Sequence, residues 1–543
     1  MMSNNNKLHY ECRLCYVLCY SLKTVEYYKW LLDSFVLDYF VDDHWAKLPS
    51  TWRETLNNVE PHELCGLLGS EPAQCHGVVW PLSLLAFRAA GRTLVLPRER
   101  TGAWLQWLRC DCASCQACSE LTKRLCRRGV VDTTGLGRCE TSPRLVQDDG
   151  LNLSNDVNNL GDDVEARCIV HSDEDDLASK ESGLMSSSTS SSKIMRVFEK
   201  HVKPKKRHEI FKMAQVAART AELQGCHYVI DVGAGVGHLA RMLAYRFGLR
   251  VCCLEAQKSL SAQARKLDKE LELTLSKYLS AEDLSRLSRP VHLNTTLHSG
   301  IDPLQFVSTL SKAFGNVSPS ELRFGIVGLH PCGDLGPMLL RLFQSCVGAS
   351  FINIVGCCYM KLSQGPQATF QGYPLSDFVS REHHDLSYEA CELSCHAVEA
   401  YSERLASGKY SDLMVHCFRA ALERIIVKHW PHLRHSGIRS IKHNNQMTFA
   451  QYCIAATERL NINIPVEDFS SEETLENLNQ WKKVVTFYSL RLLLAPLVES
   501  IILLDRVQCL RESGISCNLV PVFDPRLSPR NHVLIATKDL YSL

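Results

Sequence analysis

The segment Asp231-Val-Gly233-Ala-Gly235-Val-Gly237 constrains this chain more than any other part of it. It follows the short apolar run His227-Tyr-Val-Ile-Asp231 and opens an amphipathic stretch from Val236 to Phe247. That order predicts a strand, a tight turn and a helix. Glycines let the backbone turn sharply and let a ligand approach the main chain with no Cβ in the way. The helix start beyond them offers unpaired N–H groups. A second apolar strand, Leu249 to Glu255, ends in a carboxylate 22 residues beyond Gly233. An acid there is placed to accept hydrogen bonds from ribose hydroxyls.

Dinucleotides and S-adenosylmethionine both suit this geometry. Asp231 tilts the choice, because a carboxylate at the end of the first strand repels a pyrophosphate but tolerates a sulfonium and an amino group. The spacing Asp-x-Gly-x-Gly-x-Gly also differs from the nucleotide pattern Gly-x-Gly-x-x-Gly. The expected cofactor is S-adenosylmethionine. Asp231, Gly233, Gly235 and Gly237 would cradle its amino-acid part, and Glu255 would hold its ribose.

Strands continue to alternate with helices after this unit. Ser259 to Leu287 reads as helical, Val291-His-Leu-Asn294 as a third strand, Phe324 to Leu329 as a fourth and Phe351 to Gly356 as a fifth. Such alternation means a parallel sheet with crossover helices. Residues 375 to 480 then show helical periodicity alone. The sheet pattern returns with the long apolar helix Val484 to Leu510, the strand Asn518 to Phe523, the turn-rich Asp524 to Arg530 and the strand His532 to Thr537. Helix, strand, turn and strand close a seven-stranded class I methyltransferase sheet, whose last strand is antiparallel. The fold class is therefore α/β: a Rossmann-like sheet carrying a helical insertion and preceded by a helical N-terminal domain.

The expected boundaries are 1–140 for the helical N-terminal domain, 193–374 for strands one to five, 375–480 for the insertion and 481–543 for the completion of the sheet. Residues 141–192 read as a disordered linker. Between Asp148 and Asp176 there are ten acidic residues and one basic residue, Arg167, and a serine tract follows. Such composition buries too little apolar surface to order itself.

Two segments stand at the carboxyl ends of strands, where open parallel sheets bind ligands. They are Gly328-Leu-His-Pro-Cys-Gly-Asp-Leu335 and Gly356-Cys-Cys-Tyr-Met-Lys-Leu-Ser363. Together with Lys203-Pro-Lys-Lys-Arg-His-Glu-Ile210, Leu494 to Asp505 and Phe523 to Asn531, they resemble the methyltransferase-like protein 25 family. The likeness is to its B branch, formerly called ribosomal RNA adenine dimethylase domain-containing protein. The His-x-Cys-Gly and Cys-Cys elements are also similar to those of Trm13-type tRNA 2′-O-methyltransferases. The resemblance covers roughly residues 195 to 543. It implies an S-adenosylmethionine-dependent methyltransferase and, carried over residue by residue, points to His330, Cys332, Gly333, Cys357 and Cys358. From their place at the strand ends, His330, Asp334 and Tyr359 are the expected acceptor-side residues, with Cys357 and Cys358 lining the same pocket. Leu-His-Pro-Cys stands where adenine dimethylases carry Asn-x-Pro-Tyr, so adenine N6 dimethylation is not expected.

RNA is the expected acceptor, with a protein side chain as the alternative and a catalytically inactive binding module as the reading from another class. Lys203, Lys205, Lys206 and Arg207 are placed to meet phosphates, or to act as a short nuclear-localisation signal. Charge supports this only locally, since 60 basic residues face 59 acidic ones. A protein partner is the other expectation, through the helical parts. The 25 cysteines lie largely inside apolar runs such as Val251-Cys-Cys-Leu254, and Met1 to Tyr10 lacks the apolar core of a signal peptide. Reduced cysteines in the cytoplasm or nucleus follow. Phe487 to Leu504 reads as a buried helix rather than a membrane span. The cluster Cys110-x-Cys112-x-x-Cys115-x-x-Cys118 is continuous and lies in a helical-looking stretch, unlike two separated zinc knuckles. No metal ligand is assigned from the sequence.

Overall fold

The structure is a computed structural model, and it describes residues 13–69, 78–99, 198–199, 202–408, 410–441 and 447–538. The linker at 141–192 and the cysteines from Cys110 to Cys139 lie outside these residues. Seven strands form one sheet: β1 (Tyr228–Val232), β2 (Arg250–Glu255), β3 (Val291–Asn294), β4 (Phe324–Cys332), β5 (Ala349–Cys357), β6 (Ser516–Pro521) and β7 (His532–Thr537). Their order is β3-β2-β1-β4-β5-β7-β6. The first five strands pair in parallel, and β7 runs antiparallel to both β5 and β6. This is the sheet that the alternation predicts, closing in the predicted way.

The described helices of eleven residues or more are α1 (Arg13–Tyr27), α2 (Leu82–Thr93), α3 (Pro204–Leu223), α4 (Lys258–Leu275), α5 (Pro303–Ala313), α6 (Leu335–Ser345), α7 (Ser411–His429), α8 (Trp481–Leu492) and α9 (Ala495–Glu512). The period-two alternation of side chains gives the sheet two covered faces. Val229, Val251, Cys253, Val327 and Val355 meet Ile210, Met213 and Ala217 of α3. Ile230, Cys252, Leu254, Ile326 and Ile354 face a larger core that also holds Leu18, Leu22 and Phe87 from the N-terminal helices and Ile425 and Leu497 from α7 and α9. N-terminal helices, insertion and sheet thus share one apolar cluster. Polar ties reinforce it: Arg491 donates to the carbonyls of Leu31 and Leu32, and Arg98 pairs with Glu499 at 2.9 Å.

Among the described residues, Trp481–Glu512 is the one helical stretch long and apolar enough to cross a membrane, and 94% of its apolar window is buried inside the protein. It is a core element of this fold. It is broken at Leu493–Leu494 into α8 and α9. Two other expected helices are shorter than their periodicity suggests. The stretch after the glycine loop is a four-residue helix, His238–Arg241, followed by a wider π-helical turn, Met242–Arg246. The stretch from Ser259 splits into α4 and a short helix, Ala281–Arg286, capped by Ser280. Strand β4 is longer than expected and reaches Cys332. Its register breaks between Leu329 and Cys332, where His330 takes a left-handed backbone with φ of 69°.

Candidate active site

Because β1, β2, β4 and β5 are parallel, their carboxyl ends lie along one edge of the sheet. Gly233, Gly235 and Gly237 all have positive φ, of 70°, 57° and 74°. Only glycine adopts such angles without strain. The amides of Gly233 and Ala234 reach the Leu254 carbonyl at 2.9 and 3.3 Å, which fixes the turn to β2. Glu255 completes that attachment, accepting from the Gly235 amide at 2.8 Å and the Gln257 amide at 2.9 Å. A Cβ on Gly235 would meet nothing within 4 Å, so the loop faces open space there.

Asp231 lies just beneath this loop and is 2% exposed. Its Oδ2 is buried and has no partner among the described residues. Burial pushes its carboxyl up to about 7, helped by the charge of Glu255 and opposed by a backbone hydrogen bond from Ala240. A buried carboxylate oxygen lacking a partner is costly, and a cationic ligand group relieves the cost. The chain around the loop is rigidly held. Arg241 donates to Asp268 at 2.9 Å and to the Val236 carbonyl at 2.7 Å, and His292 meets the other Asp268 oxygen at 2.6 Å. The sequence reading missed this triad, which no local motif announces.

At the ends of β4 and β5 the expected residues divide. His330 projects at the β4 break, and its Nε2 lies 3.1 Å from Glu209 Oε2. Glu209, on α3, also accepts from Ser528 at 2.6 Å. Burial alone would raise the Glu209 carboxyl, but the hydrogen bond and charge of His330, with Ser528, hold it below the usual range. Glu209 and Ser528 were not singled out from the sequence, although both lie in segments that carry the family resemblance.

Asp334 does not face an acceptor with a free carboxylate. It accepts from the Ser363 amide at 2.8 Å and the Ser363 hydroxyl at 2.5 Å, tying the loop after β4 to the loop after β5. Tyr359 is 1% exposed, and its hydroxyl donates within the core to Glu499 at 3.1 Å. Burial, then the Glu499 charge, hold its phenol well above the usual range. Both residues were expected on the acceptor side, and local geometry gives them structural work instead: the chain turns at Cys358, with φ of 51°, and carries Tyr359 inward.

The cysteines do come together. Cys332 Sγ lies 3.2 Å from Cys357 Sγ, and the Cys332, Cys357 and Cys358 sulfurs all lie within 4.8 Å of one another. Cys332 is exposed, Cys358 partly buried and Cys357 buried. The hydrogen bond from Cys357 depresses the Cys332 thiol to about 5, assisted by Cys358 and the charges of His330 and Lys361. The same contact raises Cys357.

Of the basic run, Lys203, Lys205, Lys206 and Arg207 are all exposed around the start of α3. Arg207 pairs with Glu199 at 3.2 Å and Lys205 lies 3.9 Å from Glu209. Lys206 is within electrostatic reach of Asp231.

A family model described as a methyltransferase domain matches residues 205–365, from α3 through β5 and Cys358 beyond it. Residues 205–365 are similar to that domain. Two curated relatives, each named "Probable methyltransferase-like protein 25", are similar to the chain. The mouse (Mus musculus) protein is 30% identical over 228 residues and the human (Homo sapiens) protein 30% over 227, in each case 39% of this chain. The matches cover 37% and 36% of those proteins, so the chain spans little more than a third of the length of the curated relatives it matches. The resemblance to the methyltransferase-like protein 25 family is thereby borne out. A methyltransferase domain takes a methyl donor, and the glycine loop, Asp231, His330 and the three cysteines all fall inside the matched residues.

Proposed function

We propose that this chain transfers a methyl group from S-adenosylmethionine to RNA. The observation that carries the reading is the buried Oδ2 of Asp231, without a partner among the described residues, beneath three left-handed glycines. Those residues fit the donor. Its cationic amino-acid part suits Asp231, the open face at Gly235 admits it, and Glu255 stands at the end of β2 for its ribose. When bound, S-adenosylmethionine supplies an electrophilic methyl group.

The remaining work falls to this chain's side chains. Glu209, held ionised, keeps a proton on His330 Nε2 and leaves Nδ1 as the basic nitrogen. His330 at Nδ1 then takes the proton of the acceptor hydroxyl or amine, and Glu209 steadies the resulting imidazolium. In this scheme Glu209 and Ser528 are positioning residues. Lys203 and Lys206, exposed at the start of α3, contact acceptor phosphates.

The test offers labelled S-adenosylmethionine with total RNA and, separately, with total protein. Label in RNA, reduced by Lys203→Glu/Lys206→Glu while donor binding persists, supports the proposal. Label in protein instead would move the acceptor to a side chain. A second reading rests on Asp334 and Tyr359, both occupied by structural contacts. If donor binds and neither pool is labelled, the domain is a binding module.

A further inference from the structure

The cysteine cluster asks for an explanation that methyl transfer does not supply. Most described cysteines are buried, and burial raises the thiols of Cys252, Cys417 and Cys453. Cys332, Cys357 and Cys358 differ. The β4 break and the left-handed Cys358 bring three sulfurs from the ends of two strands and the turn after them to one place, with one of them at the surface.

We propose that Cys332, Cys357 and Cys358 form a three-thiolate site for zinc, with the fourth coordination position open on the exposed Cys332 side. This goes beyond the methyl-transfer reading and does not depend on it. Thiolates are the ligands that soft sites offer, and zinc takes them tetrahedrally with Zn–S of about 2.3 Å. That geometry puts sulfurs roughly 3.8 Å apart. The observed separations, 3.2 Å for one pair and under 4.8 Å for all, bracket it. A disulfide would instead have to draw Cys332 and Cys357 in to about 2.05 Å and would leave the third thiol without a role.

Charge also fits. Each sulfur gives a lone pair to the metal as its proton leaves to water, so the filled site carries one net negative charge. Arg506 is fully buried on α9, with Nε and Nη2 lacking partners among the described residues, and it lies within electrostatic reach of Cys357. Lys361 acts on Cys332 and Cys358 from the following turn. Among the described residues the other compact group of metal-type side chains, Asp38, Glu423 and His435, is already served by a cation. Arg434 pairs there with Asp38 and Asp42, each at 2.9 Å.

The test uses the full chain, reduced and stripped of metal. Zinc is titrated against a competing chromophoric chelator, and cobalt(II) is titrated for its sulfur-to-metal charge-transfer absorption. Cys332→Ser changes an exposed residue and leaves the core intact, while Cys110→Ser/Cys112→Ser reports on the separate N-terminal cluster. The expected result is that Cys332→Ser binds one zinc fewer per chain, or binds it more than about 100-fold more weakly, beyond the 10–100-fold typical of outer-shell changes. It should also lose part of the cobalt absorption, which Cys110→Ser/Cys112→Ser retains. Equal zinc stoichiometry and affinity in wild type and Cys332→Ser would overturn the proposal. So would a wild-type chain whose zinc is abolished by the Cys110→Ser/Cys112→Ser change alone.

Discussion

Glu255 accepts the amide hydrogen of Gly235 at 2.8 Å, reaching back from the end of β2 to the loop that follows β1. One carboxylate therefore fastens the glycine loop, and in the proposed function the same carboxylate holds the ribose. Glu255→Ala is expected to release the loop at a cost of about 1–3 kcal/mol, the penalty for leaving a partly buried donor unpaired. Faster hydrogen exchange at the Gly233 to Gly237 amides would show it. Glu255→Gln keeps an acceptor and should cost less. Equal exchange in all three proteins would mean the contact holds nothing.

Asp231 predicts an unusual pH dependence. Its carboxyl is raised from the ordinary 3.8 to about 7 by burial, so the folded chain binds the extra proton across that window. Stability from this group is complete at acid pH, falls as pH rises from 3.8, and is flat above about 7. At 1.36 kcal/mol per unit the loss has an upper limit of about 4 kcal/mol. Asp231→Asn should be less destabilised between pH 5 and pH 8 than the wild type, as read by urea unfolding. A bound cation reverses the preference. Donor affinity should therefore tighten as pH rises toward 7, by at most about tenfold per unit. Parallel stability curves for wild type and variant would contradict this account of Asp231.

The glycines separate stability from binding. Gly237→Ala meets a φ of 74° and a Cβ only 3.2 Å from His292 and 3.4 Å from Arg241. It should lose stability by more than the roughly 1–2 kcal/mol of left-handed strain alone. Gly235→Ala has open space around its Cβ and should show the strain alone. That Cβ occupies the face proposed for the donor, so donor binding should still fall at least tenfold. Unchanged donor affinity in Gly235→Ala would place the donor elsewhere.

Tyr359→Phe tests a structural assignment. The hydroxyl bonds Glu499 in the core, and Arg98 also holds Glu499. The expected loss is about 1–2 kcal/mol of stability with donor affinity unchanged. A large fall in methyl transfer at unchanged stability would return Tyr359 to the chemistry.

The fold was legible because its signals are periodic and local. Alternating apolar strands with an acid and three glycines between the first two leave few other architectures for residues 228 to 357. The side-chain roles around β4 and β5 were not legible in the same way. Asp334 and Tyr359 look available in sequence because nothing nearby in the chain competes for them. Their partners, Ser363 and Glu499, lie 29 and 140 residues away. Glu209 was hidden for the same reason, 121 residues from His330 and 319 from Ser528. Long-range pairing decides which polar groups at a strand end are free, and motif spacing does not record it. The convergence of Cys332 with Cys357 was half legible, since register in a parallel pair can bring two such strand ends together, whereas the left-handed turn at Cys358 could not be read.

In the proposed function Asp231 and the glycine loop hold S-adenosylmethionine. Calorimetric titration of the purified chain with S-adenosylmethionine, beside an Asp231→Ala/Glu255→Ala double variant whose folding is checked by circular dichroism, tests it most directly. One site per chain is expected in the wild type and none in the folded double variant. A well-folded wild type that gives no heat with S-adenosylmethionine, or a double variant that binds as tightly, would contradict it.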